Sequence, residues 1–248
     1  MEKALLSGKN LTKAFGDNEV LHGIDIDLYA GDFTVIMGAS GSGKSTLLYV
    51  LSGMDRASSG ALNFDGSEIT GYTEKQMTKL RADAFGFVFQ KTHLIPNLTL
   101  RENILMAGYI QGNETEAEIQ KRTDALIRQM NLSGTENRLP AQVSGGEGQR
   151  AAVARAIISR PRMLFADEPT GALNKANTLE VLNLLSDLHR NGQTILLVTH
   201  DREAALRGSR VLYLEDGRIT AELKSAPYQG NDPERTKQLS DWLAKQGW

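Results

Sequence analysis

Cysteine is absent from the chain, which removes disulfide scaffolds, thiol nucleophiles and cysteine-ligated zinc and suits a reducing compartment such as the cytoplasm. An excess of charge of one sign is also missing. Lys and Arg number 28 against 30 Asp and Glu, a formal net charge of -2, without the basic footprint that nucleic-acid binding needs. Nucleic acid is therefore not an expected partner. Long apolar runs are missing too: Phe85 to Phe89 and Ile195 to Val198 fall far short of the roughly 18 residues of a membrane span. The opening MEKALLSGKNL turns polar before a signal-peptide core could form. The expectation is a soluble chain that serves a membrane, if it does so, from the side. Its 248 residues, 40% hydrophobic and 23% charged, suit one two-lobed domain or two small domains with sizeable cores. No internal repeat is evident.

Two kinds of strand pattern are present. Ile24, Ile26 and Leu28 alternate with Asp25, Asp27 and Tyr29, the period-two signature of a half-exposed antiparallel strand, and Phe64 between Gly60 and Gly66 reads as another. Phe33 to Met37, Met163 to Ala166 and Thr194 to Thr199 are short apolar runs without alternation, as in strands covered on both faces of a parallel sheet. Between the first and second of these runs the chain is mostly helical. Thr99 with Glu102 is a capping-box pair opening a helix from Leu100 to about Tyr109. Ile119, Thr123, Leu126, Ile127 and Met130 mark one face of a second helix. Ser144 with Glu147 opens a third, which must end near Arg160 because Pro161 cannot continue it. A fourth, from about Asn177 to Arg190, turns Leu182, Leu185 and Leu188 inward and stops at Gly192. After Ala226 a Gly-Asn-Asp-Pro loop leads to a short amphipathic segment with Leu239, Trp242 and Leu243 on one side, read as packing on its own domain.

The chemistry begins at Gly38-Ala39-Ser40-Gly41-Ser42-Gly43-Lys44-Ser45-Thr46. Glycines let this backbone fold tightly enough to aim several N–H groups at β- and γ-phosphate oxygens. The helix that follows, Lys44 to about Ser52, adds its positive end. Lys44 supplies the mobile cation, Ser45 a hydroxyl for Mg²⁺, and Thr46 supports the α-phosphate side. An apolar strand before the loop and an apolar helix after it are the context this motif requires. Asp167 ends the apolar strand MLFA, where a carboxylate reaches Mg²⁺ through water. Glu168, next in sequence, is placed to polarise an attacking water as general base.

A second glycine-rich segment, Ser144-Gly145-Gly146-Glu147-Gly148-Gln149-Arg150, is a helix N-terminus suited to close approach. Glycine costs about 1 kcal/mol relative to alanine inside a helix, so a bare backbone at Gly145 and Gly146 asks for a reason. A γ-phosphate is one; a capping box with a flexible start is the other.

With these motifs in hand, the chain resembles the nucleotide-binding subunit of ATP-binding cassette (ABC) transporters over essentially Leu5 to Ile219. In order it shows the Walker A loop, Gln90 after the strand FGFVF as the Q-loop residue, the signature SGGEGQR, the Walker B residues Asp167 and Glu168, a D-loop at Gly171 to Asn174, and the switch His200 after TILLVT. The resemblance implies an α/β fold of the P-loop NTPase kind. Its expected parts are a RecA-like parallel core with an antiparallel β subdomain (residues 1–90 and 161–225), a helical subdomain at about 91–160, and a tail at 226–248. It also implies that Phe15 stacks on adenine, that Gln90 links Mg²⁺ and water to a membrane partner, and that His200 contacts the γ-phosphate. Two subunits then dimerise head to tail, ATP on the Walker A loop of one being capped by Ser144 to Gly146 of the other. The work is ATP hydrolysis with Mg²⁺, done at the inner face of the cell membrane.

Asn174 stands where most family members have Asp, and Gly148 replaces a long side chain in the signature helix. The first puts D-loop communication in question, the second the firmness of the first helical turns. The strings IMGASGSGKSTLL and ADEPTGAL are similar to those of lipoprotein-releasing, macrolide-efflux and bacitracin-type peptide-resistance ATPases. The implied role is to drive an export or mechanotransmission permease, with antimicrobial-peptide resistance foremost. Permease contact is expected just beyond Gln90, at Thr92, Leu94, Ile95 and Leu98. The alternative is an ATP-driven dimerisation switch in a non-transport envelope or cell-division complex.

Overall fold

The computed structural model describes residues 3–112, 114–230 and 232–248. In chain order the strands are β1 (Ala4–Phe15), β2 (Asn18–Tyr29), β3 (Phe33–Met37), β4 (Ser59–Phe64), β5 (Ser67–Glu68), β6 (Phe85–Phe89), β7 (Met163–Asp167), β8 (Thr194–Val198), β9 (Arg210–Glu215) and β10 (Arg218–Lys224). The helices are α1 (Lys44–Leu51), α2 (Glu74–Ala84), α3 (Leu100–Gln111), α4 (Glu116–Gln129), α5 (Gly145–Ile157), α6 (Lys175–Arg190), α7 (Arg202–Ala205) and α8 (Pro233–Lys245). The chain forms two compact units, Met1–Met77 with Leu188–Trp248, and Thr78–Asp187.

In the first unit an antiparallel sheet runs in the order β2-β1-β4-β5. Ile24, Ile26 and Leu28 lie opposite Leu11, Gly8 and Leu6 and are all buried, as their alternation with polar residues required. Beside it β3 pairs in parallel with β8 on one edge and β9 on the other, and β10 closes antiparallel on β9. Every residue of β3 and of β8 is buried, which explains why neither shows alternation. Helix α8 lies on this unit: Leu239 and Leu243 are buried, and Trp242 stands edge-on to Tyr213, ring centres 6.2 Å apart. The Arg235 guanidinium donates to the carbonyls of Leu206 (2.7 Å), Ala226 (2.5 Å) and Gly208, replacing water at each buried N–H.

In the second unit β6 and β7 pair in parallel, Phe87 opposite Phe165 and Phe89 opposite Asp167. The Phe87 and Phe165 rings stack at 5.6 Å. Capping boxes start α3 at Thr99 with Glu102, α4 at Thr115 with Glu118, and α5 at Ser144 with Glu147. The buried face of α4 is Ile119, Thr123, Leu126 and Ile127, followed by the fully buried Met130. Helix α6 starts at Lys175, buries Leu182, Leu185 and Leu188, and its exit turn closes with Gly192 N–H on the His189 carbonyl at 2.8 Å. Helix α5 ends at Ile157, short of the expected Arg160. Arg160, before Pro161, adopts a left-handed φ of 52°, outside the right-handed helical region that proline disfavours for the residue preceding it. Helix α2 was not anticipated: its apolar residues are too few to mark a face, and only Met77 and Ala84 are deeply buried.

Candidate functional site

The first unit holds Phe15, the loop from Gly38 to Thr46, and His200. Strand β3 delivers the chain into the loop at Gly38, where a β-carbon would stand 2.1 Å from the Leu214 carbonyl oxygen of β9 and 2.7 Å from Ser42 Oγ. Only glycine allows that approach. Gly41 and Gly43 take left-handed φ values of 82° and 100°, conformations that cost other residues, and Gly43 is the N-cap of α1. Helix α1 has no side-chain cap at Gly43 and no acidic residue in its first turn, so no carboxylate of its own opposes the positive end of its dipole. Lys44 is buried (8% exposed) and its ammonium spans the loop, donating to the carbonyls of Gly38 (2.9 Å) and Ala39 (2.8 Å). The Ser42 hydroxyl is buried without a hydrogen-bond partner, a cost of about 1–3 kcal/mol in a closed interior. Ser45 and Thr46 are half-buried, Ser40 and Gly41 exposed. An uncapped helix, a buried cation and an orphan hydroxyl on one loop are the fit expected of a polyphosphate.

Phe15, at the end of β1, is 53% exposed, with Lys13 Nζ 4.7 Å from the ring centre. It is no core aromatic, the role an isolated phenylalanine ordinarily fills. His200 is exposed one residue beyond Thr199, whose N–H donates to the Ile36 carbonyl at 3.1 Å and whose Oγ1 accepts from the Asp201 N–H at 2.9 Å. The two residues flanking the histidine's backbone are thus anchored.

The second unit holds Gln90, Asp167, Glu168, the D-loop and the signature segment. Gln90 is exposed beyond β6; a β-carbon on Gly171 would lie 2.9 Å from its Nε2, so the D-loop glycine leaves the room that Gln90 occupies. Asp167, the last residue of β7, is buried (8% exposed). Glu168 takes a left-handed φ of 46°. A non-glycine residue in this region stores of order 1–3 kcal/mol and persists when its surroundings over-determine it. The determinants here include the following turn, Gly171 N–H on the Glu168 carbonyl and Leu173 N–H on the Thr170 carbonyl, both 3.0 Å. Asn174 Oδ1 accepts the Asn177 N–H at 3.0 Å, capping α6. An aspartate carboxylate caps in the same way, so the departure at Asn174 keeps this local duty.

Ser144 Oγ donates to Glu147 Oε2 (2.7 Å) and accepts the Glu147 N–H (3.2 Å). Hydrogen bonds from the Ser144 hydroxyl, then from its backbone N–H, hold the Glu147 carboxyl below the ordinary glutamate range. The two signature glycines separate physically. A β-carbon on the exposed Gly145 would meet only Leu173 Cδ2, at 3.5 Å, an ordinary contact; one on the buried Gly146 would lie 2.4 Å from Cγ and Oδ1 of Asn177. One reason therefore does not serve both glycines. Packing inside the chain accounts for Gly146, and Gly145 is left for close approach from outside. Gly148 is buried, and a β-carbon there would meet Thr92 Cγ2 at 3.6 Å and Leu94 Cδ1 at 4.0 Å, ordinary contacts that place this turn of α5 against the segment after Gln90.

Three residues of α3 and α5 whose importance is not legible in the sequence hold the chain on either side of Gln90. Asn103, 2% exposed, accepts the Ile95 N–H at 2.7 Å and directs its amide to the carbonyls of Ile95, Leu98 and Thr99 at 3.1, 3.0 and 2.9 Å. Arg155 donates to the carbonyls of Thr92 (2.7 Å) and His93 (2.6 Å), burial lowering its guanidinium pKa. Gln149 donates to the Phe89 carbonyl at 2.8 Å. Gln149 stood inside the signature string, but nothing in its spacing announced an acceptor 60 residues earlier. Of the expected permease contacts, Ile95 is 41% exposed, while Thr92, Leu94 and Leu98 are half-buried. Among the described residues no group of three or more His, Asp or Glu could hold a metal ion, and no helix is long and apolar enough to cross a membrane.

A parallel-stranded α/β fold with a glycine loop between β3 and an uncapped helix defines a P-loop nucleotide-binding protein. The family model described as ABC transporter matches residues 21–171. The macrolide export ATP-binding/permease protein MacB of Marinobacter nauticus is 39% identical over 97% of this chain, and the pyoverdine export ATP-binding/permease protein PvdT of Pseudomonas fluorescens is 40% identical over 90%. The chain spans 39% and 34% of their respective lengths, less than half of these curated relatives. Among solved structures, the ATP-binding cassette MJ0796, a dimer in a post-hydrolysis state bound to ADP and Pi, is 35% identical with a TM-score of 0.82, covering 90% of this chain and 100% of that one. The chain belongs to the ABC transporter family, as its ATP-hydrolysing cassette.

Proposed function

We propose that the chain works as the motor of an export or mechanotransmission permease, two copies pairing head to tail around ATP. The observation that carries this reading is the pair of unlike helix starts. Helix α1 is uncapped, with the buried Lys44 and the orphan Ser42 hydroxyl beside it. Helix α5 is fully capped and carries an exposed Gly145. One turns a dipole end that no carboxylate of its own first turn opposes toward a polyphosphate of its own; the other offers a bare surface to a nucleotide held elsewhere. The dimeric MJ0796 cassette supports the pairing. The names of MacB and PvdT as ATP-binding/permease proteins support a membrane partner; in this reading the cassette works at the inner face of the membrane.

In this reading Phe15 stacks on adenine. Gly38, Ser40, Gly41, Ser42 and Gly43 wrap the phosphates, Thr46 flanks the α-phosphate, and Lys44 neutralises charge on the β/γ oxygens. Ser144, Gly145 and Gly146 of the second copy cap the γ-phosphate. Ser45, Gln90 and Asp167 would hold Mg²⁺, which supplies charge neutralisation at the transferring phosphoryl group; one buried carboxylate with two neutral oxygens suits a cation that takes its other ligands from phosphate and water. Glu168, fixed in its left-handed turn, accepts a proton from the attacking water, and His200 donates to the γ-phosphate. Thr92, Leu94, Ile95 and Leu98 receive the permease, seated by Asn103 and Arg155.

Glu168→Gln tests the assignment. The variant should bind ATP, accumulate as a dimer on size-exclusion chromatography and hydrolyse about 10²–10⁴-fold more slowly, the ordinary contribution of a general base. The wild-type specific ATPase rate should rise with protein concentration until the dimer is saturated. Full turnover by Glu168→Gln removes that residue from its role, and a specific rate independent of dilution removes the two-chain site.

A further inference from the structure

Phe15 presents its ring at the end of β1, and on a β-strand residues two apart share a face. The pairing of β1 with β2 shifts register between Lys13 and Ala14, and across that irregularity the Lys13 ammonium lies 4.7 Å from the Phe15 ring centre. This lysine is not a mobile surface cation. It is 8% exposed and its Nζ donates to Asp55 Oδ1 at 2.6 Å and to the Arg56 carbonyl at 2.9 Å. Asp55 is itself held, its N–H on the Tyr49 carbonyl of α1 at 3.0 Å and its Oδ1 also accepting the Arg56 N–H at 2.7 Å. The strand end is pinned once more by Ser58, whose N–H donates to the Thr12 carbonyl at 2.8 Å and whose hydroxyl accepts the Ala14 N–H at 2.9 Å. An exposed aromatic is thus tied through one buried cation to the far end of the helix that begins at the phosphate loop.

We propose that Lys13, anchored by Asp55, is a positioning residue for the nucleotide base. It fixes the Phe15 ring at a set distance from the phosphate loop by a cation–π contact on one face and leaves the opposite face for the purine. The proposal rests on reading Phe15 as the adenine platform. A cation over a ring restrains it without covering its second face, and exchange of the ammonium for a neutral chain frees the ring to rotate. A loosened ring must be ordered again on binding, which weakens the base contact and leaves the phosphate contacts as they were.

The test compares ADP with pyrophosphate, titrated calorimetrically into the full chain. Lys13→Met should raise the Kd for ADP by about two- to fivefold, the equivalent of ~0.5–1 kcal/mol for a cation–π contact, and leave the Kd for pyrophosphate unchanged. Asp55→Asn should reproduce the base-selective loss, and Lys13→Arg, which keeps both the charge and the aromatic contact, should restore most of the affinity. In a Phe15→Ala background Lys13→Met should have no further effect. Equal losses for ADP and pyrophosphate, or a loss that persists without the Phe15 ring, overturn the proposal, because the lysine would then be acting on the phosphate loop. ADP binding weakened by Phe15→Ala but untouched by Lys13→Met overturns the positioning role alone. ADP binding indifferent to Phe15→Ala removes the adenine reading and the proposal with it. Should Lys13→Met fail to fold, Lys13→Arg and Asp55→Asn decide the question by the same ADP-to-pyrophosphate comparison.

Discussion

Replacing either signature glycine by alanine adds one methyl group and the same helix propensity, yet the two variants should behave differently. At Gly146 the new methyl would lie 2.9 Å from Nδ2 of Asn177 and 2.4 Å from its Oδ1 and Cγ, the last more than an ångström inside the carbon contact distance of about 3.5–4.0 Å. Asn177 must leave its place in the first turn of α6, and overpacking of this kind costs about 1–3 kcal/mol. Alanine in place of glycine returns about 1 kcal/mol of helix propensity, so Gly146→Ala should destabilise the chain by about 0–2 kcal/mol. In an Asn177→Ala background the obstacle is gone and the same change should stabilise by about 1 kcal/mol, a coupling of about 1–3 kcal/mol between the two positions. Gly145→Ala meets only Leu173 at 3.5 Å and should be neutral or slightly stabilising. Urea unfolding of the full chain measures these differences, and ATPase assays on the same samples separate the roles. Gly146→Ala should lose activity through displacement of the loop and recover it with Asn177→Ala. Gly145→Ala should lose activity that no change at Asn177 restores. The reasoning is refuted if Gly146→Ala costs the same with and without the Asn177 side chain, or if Gly145→Ala hydrolyses ATP as fast as the wild type.

Acid should act through the helix starts. Hydrogen bonds from Thr99 and Thr115, backbone first and then hydroxyl, hold the carboxyls of Glu102 and Glu118 below the ordinary glutamate range, as the Ser144 hydroxyl and backbone do for Glu147. A carboxyl depressed in the folded state stabilises fully above its unfolded pKa of about 4.3 and loses that contribution as pH falls through the folded value. The denaturant midpoint should therefore fall below about pH 4, less steeply in a Glu102→Gln, Glu118→Gln, Glu147→Gln variant whose amides still close the boxes; identical slopes would show that the boxes carry no such linkage. Leu94→Asp, beside Gly148, should leave ATP binding by the isolated cassette intact and abolish stimulation of its ATPase by the permease in reconstituted vesicles. Unchanged coupling would move the docking surface elsewhere.

Much of this chain could be read before any coordinate. The apolar runs of β3, β7 and β8, the Thr99 and Ser144 capping boxes, and the loop from Gly38 to Thr46 are local patterns, set by burial period, cap chemistry and glycine spacing within a few residues. Local rules also placed Glu168 directly after a buried strand. They could not find α2, whose buried residues are sparse, or the Ile157 end of α5, after which a turn closes with the Arg160 N–H on the Ile157 carbonyl at 2.9 Å. Nor could they say that Phe15 is exposed, since a lone aromatic beside a turn is compatible with either environment.

Residue types and their order settled the chemistry: a phosphate loop, a buried strand ending in two carboxylates and a capped glycine helix name an ATP-hydrolysing cassette, because each depends on backbone geometry encoded within its own segment. Contacts between distant segments settled why particular residues are where they are. Gly146 is bare for Asn177 and Gly171 for Gln90; Lys13 reaches Asp55 across 42 positions, and Arg155 reaches Thr92 across 63. Such pairings arise only when separate elements pack, and close packing, unlike helix or strand periodicity, has no repeat that a sequence displays.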